Sequence, residues 1–126
     1  MRAFLICPVR GVPKEATAQI AADIESRGWT LHWPPRDTNQ EDSTGLRICT
    51  DNMLAIAQAD VVFFAWDGKS TGSLFDLGIA FALNKPIIPV REMMPKVVPG
   101  QKSFQAMAWE IYRQHALAAL ATVEQP

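Results

Sequence analysis

The chain has 126 residues, of which 48% are hydrophobic and 20% charged, with a formal net charge of −1. That composition suits one compact domain over residues 1–126, excludes a chain disordered by composition, and supplies no cationic excess for gripping a nucleic acid polymer. The longest apolar runs, Ala3–Val9 and Val61–Trp66, fall far short of the ~20 residues a membrane helix needs, so no membrane partner is expected.

From the amino end, Ala3 to Cys7 (AFLIC) is a continuous apolar run, as in a strand covered on both faces. It leads into Pro8, Val9, Arg10 and Gly11 without a small-residue cleavage site, and does not read as a signal peptide. Glu15 to Arg27 reads as a helix with Ala16, Ile20 and Ile24 on one stripe and Gly28 just past its end. Trp29 to Trp33 reads as a second strand, and the polar segment Pro34 to Gly45 as a surface loop. Leu46 to Ala59 has helical spacing, with Leu46, Cys49, Met53, Ile56 and Ala57 on its apolar side. Val61 to Trp66 (VVFFAW) is a third strand, Ser73 to Leu83 a nearly all-apolar helix, and Pro86 to Val90 a fourth strand. A Pro-rich turn region, Arg91–Gly100, precedes a closing helix from Ser103 to Ala121.

Strands alternating with helices imply βαβ units, hence a flavodoxin-like, doubly wound sheet of four or five parallel strands with helices on both faces. Ligands of such sheets sit beyond the carboxyl ends of the strands, which directs attention to Pro8–Pro13, Asp67–Gly72 and Arg91–Gly100. Cys7 and Cys49 form neither a disulfide framework nor a metal pattern, so free thiols in a cytoplasmic protein are expected. His32 and His115 lack partners at metal spacing; neither is expected to be catalytic, and no metal site is expected. Of the four tryptophans, Trp29, Trp33, Trp66 and Trp109, core or interface places are expected, with Trp33 and Trp66 at strand ends the two that could face a ligand.

Asp67–Gly78 (DGKSTGSLFDLG) is the strongest local feature, a polar turn that leaves a buried strand and enters a helix. Unpaired N–H groups at that helix start favour an anion, and Ser70, Thr71, Gly72 and Ser73 add hydroxyls and room for close approach. An ordinary βα turn explains the same composition. Asp76 stands alone among Leu74, Phe75, Leu77, Ile79 and Phe81. Either it caps the helix in a Ser73-x-x-Asp76 box, or it is a carboxylate held at the mouth of the sheet. Gly78 costs ~1 kcal/mol against Ala inside a helix, which implies close packing there. Asp51 lies off the apolar stripe of its helix, where a lone acid is usually solvated, and Arg10-Gly11 is a phosphate loop or a plain turn.

Taken together, DNMLAIAQADVVFFAWDGKSTGSLFDLGIAFALNKPIIPV, from Asp51 to Val90, resembles the nucleoside 2-deoxyribosyltransferase superfamily, and Phe4–Gly11 resembles its strand and phosphate loop. The likeness is nearest to the branch of nucleoside 5′-monophosphate N-glycosidases. It implies Asp76 as the catalytic carboxylate, Asp51 as the helix acid that supports catalysis, and Ser70, Gly72, Arg10 and Gly11 as phosphate-binding. Ser103 corresponds loosely to a serine that the neighbouring subunit donates, and Phe4 to the residue beside the sugar. This chain also departs from the family pattern. Asp76 replaces the usual Glu, shifting the carboxylate oxygens by roughly 1.5 Å. Phe4 stands where deoxyribonucleotide hydrolases carry Tyr, and Cys7-Pro8 stands where the phosphate loop has Gly-Ser.

The resemblance implies retaining-glycosidase chemistry on a small nucleotide substrate: attack by Asp76 at the anomeric carbon, then hydrolysis of the glycosyl-enzyme. It implies neither metal nor organic cofactor, and a homodimer is expected, with the Ser73–Leu83 helix, Met93, Met94 and Trp109 offering the interface. Two alternatives stand beside the hydrolase: a deoxyribosyltransferase, and a nucleotide-binding or sensing module that kept the fold and lost the chemistry.

Overall fold

A computed structural model describes residues 1–124. Four short strands, β1 (Arg2–Ile6), β2 (Thr30–His32), β3 (Val61–Phe64) and β4 (Ile87–Pro89), form one sheet in the order β2-β1-β3-β4. Every pairing is parallel, with Phe4 opposite both His32 and Val62 and Phe64 opposite Pro89. The intervening helices are α1 (Glu15–Ser26), α2 (Pro34–Asp37), α3 (Leu46–Gln58), α4 (Thr71–Ala82) and α5 (Phe104–Glu124), with a 3₁₀ turn at Arg91–Met93.

Both faces of the sheet are covered, which explains the unbroken apolar runs of β1 and β3. On one face Phe4, Ile6, Val62 and Phe64 pack against Ile56 of α3, Leu77 and Ala80 of α4 and Ala108 of α5. On the other, Ala3, Leu5 and Phe63 meet Ala21 and Ile24 of α1 and the ring of Trp33. α5 runs along edge strand β4. This is the flavodoxin-like α/β arrangement. The chain steps outward from β1 to β2 and returns on the far side of β1 to β3, so the topological switch point, the usual place for a ligand in such sheets, lies between the loops that follow β1 and β3.

Several local expectations are corrected. The segment expected as a loop from Pro34 holds the short α2, with two prolines in its first turn and Asp37 accepting from the Trp33 N–H (2.8 Å). α4 starts at Thr71 rather than Ser73, and Ser70 is its N-cap, accepting from the Ser73 N–H at 3.3 Å. Asp76 thereby falls in the second turn and is no cap. α3 buries Asn52 and Ile56, whereas Leu46 and Met53, expected on the apolar side, face outward. In α1 the buried residues are Thr17, Ala21 and Ile24, and Ala16 is exposed. Gly78 was expected to be closely packed, yet a Cβ there meets nothing within 4 Å. Trp33 and Trp66 are both buried in the core.

At the amino edge of the sheet, charged groups complete backbone hydrogen bonding. Asp60 accepts from the Arg2 N–H (2.8 Å), and the Lys85 ammonium donates to the carbonyls of Ala57 and Ala59 (2.8 Å each) where α3 ends.

Candidate active site

α3 and α4 both begin at the carboxyl edge and pack side by side against the same sheet face. Their second turns therefore face each other, which brings Asn52 to Asp76. Asp76 is 9% exposed, among apolar neighbours. Its one hydrogen bond among the described residues is a long one, from Asn52 Nδ2 to Oδ2 at 3.5 Å. Burial outweighs that bond and pushes the Asp76 carboxyl up to about 7. A buried acid with one oxygen held and the other unbonded is poised to be a nucleophile or a proton carrier near neutrality.

Asn52 is itself held. Its Oδ1 accepts from the Thr38 hydroxyl at 2.8 Å, and Thr38 Oγ1 lies 2.8 Å from His32 Nε2. Burial lowers the His32 pKa, opposed by the negative field of Asp37, reinforced by Arg36 and opposed again by Asp51. The His32 ring stacks on Phe4, with centroids 5.2 Å apart. Phe4 is fully buried, so the imidazole rather than the phenyl ring is the outermost group on that strand pair. Cys7, just past the end of β1, is buried, and desolvation pushes its thiol up to about 11 despite the nearby polar groups of Thr17 and Trp33. The Asp76 charge adds to that rise. Cys7 is an inert neutral neighbour of the carboxylate.

Asp51 is on the adjacent α3 position but points elsewhere. Its carboxylate, about half-exposed, pairs with Arg47 one turn earlier at 2.8 Å. The same guanidinium donates to the carbonyls of Asn39 and Glu41, fastening the segment before α3. The structure thus joins Asp76 to Asn52, and not to Asp51.

Arg10, Gly11, Ser70 and Gly72 lie beyond the carboxyl ends of β1 and β3, on either side of the switch point. Arg10 and Gly11 are the central pair of a turn closed by the Val12 N–H on the Val9 carbonyl (3.2 Å); Gly11 takes φ +71°, a left-handed value that favours glycine. Both are exposed. On the opposite loop, Asp67 Oδ1 accepts from the N–H groups of Lys69 and Ser70. Against partial desolvation, those amides hold its carboxyl below the usual range. The Trp66 indole donates to the Ser70 carbonyl (3.0 Å), fixing the loop on the core. Ser70 Oγ accepts from the Ser73 hydroxyl as well as its N–H, so its own proton is directed outward. Beside it, the Gly72 Cα faces open space, leaving the first turn of α4 approachable. Ser103 is remote in sequence and caps α5, its Oγ accepting from the Ala106 N–H at 3.0 Å.

Three site residues, His32, Thr38 and Asn52, escape a reading of the sequence. The only signal was a polar residue at the spacing of Ile56, one helical turn apart on the buried side of α3.

No curated protein matched the chain. A family model described as nucleoside 2-deoxyribosyltransferase matches residues 6–116, a span that runs from the end of β1 into α5 and contains every polar group just placed around Asp76. The match covers most of the chain and agrees with the all-parallel sheet, and the chain belongs to the nucleoside 2-deoxyribosyltransferase family.

Proposed function

We propose that the protein hydrolyses the N-glycosidic bond of a nucleoside 5′-monophosphate, releasing the free base and a sugar 5-phosphate. The observation that carries this reading is Asp76: a buried carboxyl, raised to about 7, set one turn inside α4 and beneath the open first turn of that helix. Oδ1 attacks the anomeric carbon as the bond to the base breaks, giving a glycosyl ester on Asp76. Water then cleaves the ester and frees the carboxylate. The departing base draws its proton from solvent, and Asp51, on release from Arg47, takes one from the attacking water.

Ser70, the α4 amides beside Gly72, and Arg10-Gly11 grip the phosphate as a remote handle that places the anomeric carbon. The outward Ser70 proton and an anion-seeking helix start favour a phosphorylated substrate over a free nucleoside. Phe4 acts indirectly, as the plate on which His32 rests beside the sugar.

The working unit is a homodimer. α4 leaves Phe75 and Phe81 more than half exposed, and Gly78 lies between them with open space over its Cα. Two large rings flanking a glycine suit close approach of a second helix. In that dimer Ser103 comes from the partner chain to the phosphate.

A second reading, a nucleotide-binding module without turnover, is favoured by one observation: Asp51 is tied to Arg47 rather than turned towards Asp76. Chromatography of ribo- and deoxyribonucleoside monophosphates after incubation with the protein decides between them. Release of base from a monophosphate and not from the nucleoside is the expected result. Reaction of nucleosides alone points to base exchange instead, and tight binding of a nucleotide left intact points to the module.

A further inference from the structure

The polar chain behind Asp76 has a single consistent direction. Thr38 has one hydroxyl proton, and it goes to Asn52 Oδ1, because the amide must turn its Nδ2 to Asp76. Thr38 Oγ1 can then only accept from His32, so His32 carries its proton on Nε2. Its Nδ1 has no partner among the described residues, yet no buried side-chain N or O of those residues lacks one, so Nδ1 is open to solvent. Four elements contribute one group each: the end of β2, the segment after α2, α3 and α4.

We propose that His32, Thr38 and Asn52 are positioning residues that fix Asp76 for attack, holding Oδ2 and leaving Oδ1 as the nucleophilic oxygen. This deepens the hydrolase reading and rests on it only for the word nucleophilic. A short acid reaches less far and swings about fewer bonds than a long one, so the oxygen it presents depends on what grips the other. Protonation of His32 adds a proton at Nδ1 and leaves the Nε2–H donor in place, so the chain survives acid. The charged groups around it are Arg36, Asp37 and Asp51 at the His32 end; the buried thiol of Cys7 feels the Asp76 charge and stays neutral.

The test is Thr38→Val, which keeps the shape and removes the middle link, with Thr38→Ser as the conservative control. Carbon-13 carboxyl NMR of aspartate-labelled protein, with the resonance assigned by its loss in Asp76→Asn, reads the Asp76 titration without any turnover. We expect the Asp76 midpoint to rise by about half a unit or more in the Val variant and to return in Ser. For turnover, a kcat about tenfold lower with KM within twofold is expected, again restored by Ser. An unmoved midpoint in a folded Val variant overturns the chain. A moved midpoint in a protein that cleaves no nucleotide keeps the chain and refutes the hydrolase. Thermal denaturation confirms that each variant is folded; if Val unfolds, Asn52→Leu and His32→Phe, cutting the links on either side, must give the same upward shift, and failure to do so also overturns the proposal.

Discussion

The two ends of the sheet use similar polar side chains for opposite purposes. At the amino edge, Asp60 and Lys85 bond directly to backbone groups at 2.8 Å, and each completes hydrogen bonding that strand or helix ends would otherwise lack. At the carboxyl edge, Asp76 is buried with one long bond, and Ser70 keeps a proton to give. The first arrangement adds stability. The second withholds it, leaving a carboxyl that protonates far more readily than an exposed aspartate. In the proposed hydrolase, reactivity comes from satisfying the site less fully than the scaffold.

The largest expected break in that contrast is chemical. Asp76→Asn keeps the bulk and a bond to Asn52 but cannot form a glycosyl ester, so base release should fall by at least about 10⁴-fold while nucleotide affinity measured by calorimetry changes little. An Asn variant that turns over like the parent ends the nucleophile assignment.

The same substitution should stabilise the fold, in a pH-dependent way. The folded pKa of Asp76, about 7, lies above the ordinary 3.8, so protonation favours the folded state. That contribution is fully present below the unfolded value and lost as pH rises through about 7. Above neutrality the parent therefore carries a burial cost of up to about 4 kcal/mol that the Asn variant escapes. Urea denaturation at pH 8 should show the variant more stable, with the gap closing towards pH 4. The corresponding kinetic signature in the parent is a kcat/KM that rises with pH through an acid limb near 7.

At the amino edge the expected effect is smaller and opposite in sign. Lys85→Met leaves the Ala57 and Ala59 carbonyls short of a charged donor and should cost about 1–3 kcal/mol in denaturant titrations, with KM unchanged. The smallest effect belongs to Ser70→Ala. Loss of the α4 cap should cost about 1 kcal/mol of stability, and loss of the outward proton should raise KM for a monophosphate several-fold more than for its nucleoside.

The fold was largely legible because its signals are local. AFLIC and VVFF announce strands covered on both faces, and Gly28, at φ +95°, closes α1 where the sequence places a helix end. Asp76 was legible for a similar reason, since a lone acid in an all-apolar helix calls for a partner or a purpose. Helix phase was not. α3 leans on α4 as well as on the sheet, which turns Asn52 inward and Leu46 outward against the simple apolar stripe.

What the sequence by itself determined is the alternation of strands and helices, the loops at the strand ends and the one carboxylate worth watching. The tertiary structure alone decided which neighbour that carboxylate meets. Asp51 and Asn52 are consecutive, and consecutive helical residues point about 100° apart, so a rotation of α3 too small to alter its periodicity selects one or the other. Here that rotation pairs Asp51 with Arg47 in solvent and sends Asn52 to Asp76. Thr38 reaches Asn52, and Asn52 reaches Asp76, through tertiary contacts between separate elements, for which local propensity carries no information.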